Sequence, residues 1–240
     1  LSPIRETWTS ADGQHRILWG DCLSILPTLD TSEVAAVLAD PQYGMDWDTD
    51  STRFTGGCIT RGKGRSDWGD IRNDDEQFDP SPWLSFKRVA LWGANHYTQR
   101  LPVGTTLVWV KRSPELYGSF LSDAEIGWMK GGYGVYCFEK QFPPPSRMKE
   151  NAGRVAHPTQ KPLSLMTWCL DKLKTQPGDL ILDPYAGSCT VAVACARTGR
   201  KSISIEIEER YFRVGIARME REAARHPLLE PKPLTQRSLI

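Results

Sequence analysis

Two short segments carry residue types that could do chemistry together. Asp40-Pro41-Gln42-Tyr43 follows residues 34–39, an uninterrupted run of small apolar side chains. Such a run, apolar on both faces, predicts a strand in the middle of a parallel sheet, and open parallel sheets seat ligands at the carboxyl ends of their strands. At that place a carboxylate and a backbone carbonyl can accept both hydrogens of an exocyclic amine, while a Tyr ring stacks on the flat group that bears it. The second segment, Asp183-Pro184-Tyr185-Ala186-Gly187-Ser188-Cys189-Thr190, follows the apolar strand 180–182 and opens a helix rich in Ala and Val. Glu206 ends the next strand, 23 positions beyond Asp183. Strand, glycine-containing turn, helix, strand and acid is the order of a nucleotide-type site, with the acid set against ribose hydroxyls.

The glycine spacing is not that of a dinucleotide fingerprint. Only Gly187 stands in the turn proper, and the carboxylate of Asp183 would repel a pyrophosphate. An acid at a strand tip suits a cofactor with a positive or amino group, and S-adenosylmethionine has both a sulfonium and an α-ammonium. Taken singly, each segment also suits plain structure: a turn capped by Asp-Pro, and a strand–turn–helix without a ligand.

The elements that must position these residues follow from the apolar pattern. Strands are expected at 16–20, 34–39, 88–92, 106–110, 124–129, 134–138, 180–182 and in SISIEI, which ends near Glu206. A short helix begins near Leu23 and stops near Pro27. Leu163, Met166, Leu170 and Leu173 recur at helical spacing, and further helices are expected to about Arg197 and over about 208–225. Residues 45–82 and 139–161 read as loops and 226–240 as an extended tail. The alternation of strands and helices predicts an α/β fold with a mostly parallel sheet and one antiparallel pair.

A chain of 240 residues fits one compact domain. Its formal net charge of +1 means that an acidic partner must be met by a local patch. Two patches qualify. Arg53, Arg61, Lys63 and Arg65 follow one another without an intervening acid, and Lys140, Arg147, Lys149, Arg154 and Lys161 face only Glu150. Each is either a solvated loop or a surface for phosphates. Trp47 and Trp68 either wedge beside a base or pack in the core. The six cysteines form no CxxC pair and lie near no His at zinc-finger spacing, so buried structural thiols are expected rather than disulfides or a metal site, which suits a reducing compartment. No run of eighteen apolar residues predicts a membrane span. Residues 1–13 lack the pattern of an export signal, and the absence of an initiator Met suggests residues missing ahead of Leu1.

Together the two segments resemble the signature of the β-group of amino-methyltransferases acting on DNA, Asp-Pro-Pro-Tyr early and Asp-Pro-Phe-x-Gly-x-Gly-Thr late. Between them that family has His-Pro-Thr-Gln-Lys-Pro, which stands intact at 157–162. Trp19-Gly20-Asp21-Cys22, residues 91–97 and residues 106–112 are similar to its strand segments. The resemblance covers about 16 to 220. It implies a Rossmann-like S-adenosylmethionine-dependent methyltransferase fold in one domain, 1–240, with a mostly parallel central sheet, an antiparallel edge strand and the catalytic half first in the chain. It implies that Asp183, Tyr185 and Gly187 line the cofactor, that Glu206 holds its ribose, that Thr159 and Lys161 contact its methionine part, and that Asp21 lies near its adenine. Asp40, Pro41 and Tyr43 would receive a target base flipped out of double-stranded DNA, with the basic loops on the phosphates and loop 45–82 closing over the base.

The implied activity is site-specific methyl transfer to adenine N6, since Asp rather than Ser opens the first motif. Cytosine N4, an RNA adenine, or a non-catalytic nucleic-acid-binding subunit are the alternatives. A cysteine route to cytosine C5 is disfavoured because the chain contains no Pro-Cys dipeptide. A homodimer and a cytoplasmic, DNA-associated setting in a bacterium or phage are further implications. Two positions depart from the signature. Gln42 replaces its second Pro, and Cys189 replaces a Gly where a helical backbone is expected to tolerate a side chain.

Overall fold

The computed structural model describes residues 2–45, 75–118, 122–153, 157 and 159–225. In chain order the elements are β1 (Glu6–Thr9), β2 (His15–Trp19), α1 (Cys22–Ile25), β3 (Val34–Ala39), α2 (Ser81–Leu84), β4 (Val89–Trp92), β5 (Gly104–Val110) and β6 (Ala124–Glu139). Then come α3 (Pro144–Glu150), α4 (Leu163–Lys172), β7 (Leu180–Asp183), α5 (Thr190–Arg197), β8 (Lys201–Glu206) and α6 (Glu209–Arg225). All described strands join one sheet in the order β1-β2-β8-β7-β3-β4-β6-β5.

The sheet is parallel through β2, β8, β7, β3 and β4. Side chains alternate between two apolar layers, as a period of two requires. Along β3, Ala36 and Leu38 enter the layer that holds α4 and α5, whereas Val37 and Ala39 enter the layer with Ile25, Trp83 and Tyr97. Ile181 and Leu182 of β7 divide in the same way. Burying both faces is what the continuous apolar runs of β3 and β7 are for, and each large aliphatic side chain so buried contributes roughly 1.5–3 kcal/mol.

From β7 the chain proceeds through α5 to β8 on one side. From β3 it proceeds to β4 on the other. The topology therefore switches direction between the two central strands, where a crevice opens at their carboxyl ends. Those ends carry Asp183 and Asp40.

Antiparallel pairing occurs at two places. β1 lines the edge strand β2. β6 bends at Gly131 and Gly132, whose φ angles of +80° and +68° are left-handed. Its first arm runs antiparallel to β4, and the pairs Val110↔Ala124 to Gly104↔Lys130 run the same way against β5. Its second arm returns parallel to β5, from Thr106↔Val135 to Val110↔Glu139. The strands expected at 124–129 and 134–138 are thus two arms of one ribbon that embraces β5. The loop expected at 139–161 contains the helix α3, entered at Pro144, where a missing N–H is harmless. β1 adds a strand that the sequence pattern does not predict, since four alternating residues carry little apolar signal.

Cys22, Cys169, Cys189 and Cys195 are buried free thiols, Cys137 is an exposed one, and Cys58 lies outside the described residues. Among the described residues no helix is long and apolar enough to cross a membrane.

Candidate active site

The crevice between the central strands deepens into a cavity of about 720 Å³, lined by Asp40, Pro41 and Tyr43 from one side and by Asp183, Gly187 and Glu206 from the other. The two segments singled out in the sequence therefore share one space. That size is ordinary for a small-molecule site.

On the β3 side a compact ionic cluster surrounds Asp40. Its Oδ1 accepts the Tyr43 hydroxyl at 2.7 Å and its Oδ2 accepts the Lys161 ammonium at 2.6 Å. Lys161 Nζ also lies 3.0 Å from Glu125 Oε2 on β6, and Lys111 Nζ lies 2.9 Å from Glu125 Oε1. Burial raises the Asp40 carboxyl above its ordinary range, and the Lys161 charge opposes that rise. Burial also disfavours the ammonium of Lys161, but Asp40 and Glu125 outweigh it and hold the group protonated. Glu125 feels burial too, yet Lys161 and Lys111 bring it down to about 2. The cluster contains two carboxylates and two ammonium groups, and 21% of the Asp40 side chain remains exposed. Tyr43 stacks on His96 with centroids 4.9 Å apart and planes 10° from parallel, which fixes its ring.

The β7 side has the opposite character. Asp183 is 2% exposed, and burial pushes its carboxyl up to about 8. Its one hydrogen bond among the described residues comes from Tyr185 N at 3.2 Å, and no cation among them accompanies it. Glu206, at the end of β8, accepts Gly187 N at 2.6 Å and Glu208 N at 2.8 Å, and burial moves it to about 7. Two carboxyls without a cationic partner among the described residues suit a ligand that brings its own positive charge and hydroxyl donors. Tyr185 is packed edge-on against Phe78 and Trp83, 5.7 and 5.8 Å between centroids.

The remaining residues expected from the sequence sort plainly. Asp21 lines the cavity, but its carboxylate caps α1, accepting Leu23 N and Ser24 N. Thr159 bonds the ring of His157 at 3.2 Å, and burial, with Lys161 and nearby arginines, takes that imidazole down to about 3. Lys161 stands on Asp40 and Glu125. Arg147 lines the cavity, with its guanidinium 5.9 Å over the Phe142 ring, while Lys149 faces a separate recess beside Arg218 and Arg221. Arg53, Arg61, Lys63, Arg65 and Arg154, with Trp47 and Trp68, lie outside the described residues.

Cys189 corrects the expected helical backbone. It sits at φ 58°, ψ 40°, in the left-handed region, ahead of α5. Its Sγ fits because α6 presents Gly215, where any Cβ would collide with it. Three other contributors escape a reading of the sequence. Glu125 looks like one polar residue in an apolar strand, and Lys111 like a strand end. Arg218 looks like a surface cation on an amphipathic helix, yet it is 4% exposed and donates to Ser188 O at 2.6 Å and Thr190 Oγ1 at 3.0 Å, bracing the late motif.

Residues 105–218 match the family described as DNA methylase, of the N6/N4 type. The DNA adenine methyltransferase YhdJ of Escherichia coli K12 is 42% identical over 64 residues, 27% of this chain and 21% of that protein. The type II methyltransferase M.HinfI of Haemophilus influenzae is 26% identical over 87% of this chain and 69% of its own. Among solved structures, the cytosine-N4-specific PvuII DNA methyltransferase has a TM-score of 0.58 at 16% identity, covering 92% of this chain and 94% of that one. TTHA0409 of Thermus thermophilus, solved with S-adenosyl-L-methionine, has a TM-score of 0.51 at 19% identity over 87% of this chain and 94% of that one. At such identities these structures speak to the fold alone.

The position of the family match corrects one expectation. The catalytic half does not come first in the chain, because the matched catalytic domain occupies residues 105–218, the later half. The physical reason is that the cavity draws on both halves: Asp40 and Tyr43 meet Glu125, Lys161 and Asp183 across the central strands. Residues 105–218 match the N6/N4 DNA methylase family, and they lie in a chain whose mostly parallel sheet is Rossmann-like.

Proposed function

We propose that this protein transfers a methyl group from S-adenosylmethionine to an exocyclic amine of a base flipped out of double-stranded DNA, with adenine N6 as the target. The observation that carries the reading is the meeting of the β3 and β7 ends in one cavity, one end with an ion-paired Asp40, the other with the carboxyl of Asp183 raised by burial. The cofactor supplies, when bound, an electrophilic methyl on a sulfonium. Asp183 would balance its positive charge, and Glu206 would meet its hydroxyls by exchanging backbone donors for them.

On the opposite wall, the amine of the base would donate one N–H to the Asp40 carboxylate and the other to the Pro41 carbonyl. Both interactions favour a more tetrahedral nitrogen, whose lone pair is otherwise spread into the ring. Holding that nitrogen in line with the methyl supplies most of the rate through orientation and fixed charge. The nitrogen forms a bond to the methyl, the methyl's bond to sulfur breaks, and the surplus proton leaves the nitrogen afterwards, with Asp40 within reach to accept it. Tyr43, fixed against His96, would stack on the base. Flipping costs a few kcal/mol, which basic residues near the cleft would offset through phosphate contacts.

Asp at the first motif position supports adenine. The family match embraces both N6 and N4 enzymes, so cytosine N4 is the second reading. Asp40→Asn and Asp183→Asn test the division of labour. The first is expected to lower methyl transfer by about 10²–10³-fold, as loss of one charge-stabilising group does elsewhere, with cofactor affinity kept. The second is expected to weaken cofactor binding first. Full transfer by Asp40→Asn would refute the assignment.

A further inference from the structure

We propose that Lys161 is the positioning residue of the reaction, keeping the Asp40 carboxylate ionised and oriented for the target amine, with Glu125 and Lys111 holding Lys161 in place. This rests on the reading of Asp40 as the amine acceptor. It departs from the methionine-contacting role that the family resemblance implies for Lys161.

The geometry is a chain of alternating charge. Asp40 Oδ2, Lys161 Nζ, Glu125 Oε2, Glu125 Oε1 and Lys111 Nζ are linked at 2.6, 3.0 and 2.9 Å. It joins the end of β3, the segment ahead of α4, β6 and the end of β5, across 121 positions between Asp40 and Lys161. Lys161 is 6% exposed, so solvent does little to screen it. An unaided buried carboxyl takes up a proton, and a protonated Asp40 would be a neutral, weaker acceptor with an O–H donor on one oxygen. The groups acting on Asp40 from the packed elements are Lys161 ahead of α4, Glu125 on β6, Tyr43 after β3, and, more weakly, Tyr97 after β4 and Asp183 on β7. Among the described residues Lys161 is the cation that acts on Asp40 most strongly. The Tyr43 hydroxyl, at 2.7 Å, holds the other oxygen and leaves each carboxylate oxygen one further lone pair for the base. Glu125 thus has a plain task. Without it the ammonium would keep Asp40 and the Tyr43 hydroxyl, 3.4 Å away, but lose the partner that fixes its angle from the side of β6.

The test is the pH dependence of single-turnover methyl transfer to duplex DNA, read together with cofactor affinity. Activity needs ionised Asp40, so it fails as pH falls through the Asp40 titration. Lys161→Met removes an opposing charge at contact distance and is expected to move that acid limb upward by roughly 1–3 pH units, with cofactor affinity changed less than about threefold. Glu125→Gln removes a neighbouring negative charge and is expected to move the limb the other way, downward, while the plateau rate falls as Lys161 loses its anchor. Opposite signs are not what a loss of packing would give. Lys161→Arg keeps the charge and is expected to keep the limb near its original pH. Should Lys161→Met fail to fold, the downward shift in Glu125→Gln decides alone. An acid limb that stays in place in Lys161→Met, or a tenfold loss of cofactor affinity there without a shift, would overturn the proposal and return Lys161 to the cofactor. Asp40→Asn retaining full rate would instead remove the underlying reading.

Discussion

At the scale of single residues, Asp183 and Glu206 make the stability of the fold depend on pH. Asp183 titrates near 8 in the fold against an ordinary value of 3.8, and Glu206 near 7 against 4.5. The folded state therefore keeps protons that the unfolded chain has released, so stability from these groups is present at low pH and lost as pH rises through the folded values. His157 and His15, both shifted down, act in the reverse direction below about 6.5. The clean window is pH 6.5 to 8. There the denaturation midpoint of the cofactor-free protein is expected to fall with rising pH, and Asp183→Asn is expected to flatten the trend. A midpoint that rises across that window would contradict the burial of a carboxyl that has no cationic partner among the described residues. By the same linkage, if Asp183 meets the cationic cofactor as proposed, binding would ionise it, so affinity is expected to climb between pH 6.5 and 8 with release of a proton, measurable by calorimetry in buffers of different ionisation enthalpy.

At the scale of elements, α5 and α6 shape the late motif from behind. Cys189 holds a left-handed backbone, which disfavours an L-residue by roughly 1–2 kcal/mol, and its Sγ occupies the space that Gly215 leaves on α6. Gly215→Ala is expected to destabilise the protein by roughly 1–3 kcal/mol through overpacking, and Cys189→Gly in the same chain is expected to recover most of that loss. Equal stability of Gly215→Ala and the parent in urea denaturation would show that the contact is not tight. Arg218 gives a companion prediction. Arg218→Met strips Ser188 and Thr190 of a shared donor, so cofactor affinity is expected to fall several-fold while the β3 side of the cavity is unaltered. How legible each element is in the sequence follows from the kind of signal it carries. β3 and β7 announce themselves by apolar runs and by the acids that end them. The partnership of Cys189 with Gly215, or of Glu125 with Lys161, joins residues far apart in the chain, and no local pattern marks such pairs. β1 and α3 escape detection because each is short and takes its stability from packing rather than from its own periodicity.

At the scale of the whole molecule, the order of strands is what turns two distant motifs into one site. The switch of direction between β7 and β3 brings Asp183 and Asp40 to adjacent strand ends, although 143 positions separate them. That adjacency is foreseeable from two buried parallel strands each ending in an acid. The embrace of β5 by the two arms of β6, which delivers Glu125 and Lys111 to the same cleft, is not. A protein of net charge +1 must bind DNA through local patches, so affinity for duplex is expected to fall steeply with salt. Methylation of an exocyclic amine held by Asp40 is read out by the identity of the product nucleoside. Duplex DNA is incubated with the protein and methyl-labelled S-adenosylmethionine, digested, and its nucleosides separated. The label is expected in N6-methyladenosine of the deoxy series, with label in N4-methylcytosine marking the second reading, and in either case it is expected to vanish with Asp40→Asn. Label in 5-methylcytosine, or label undiminished by that substitution, would contradict the account.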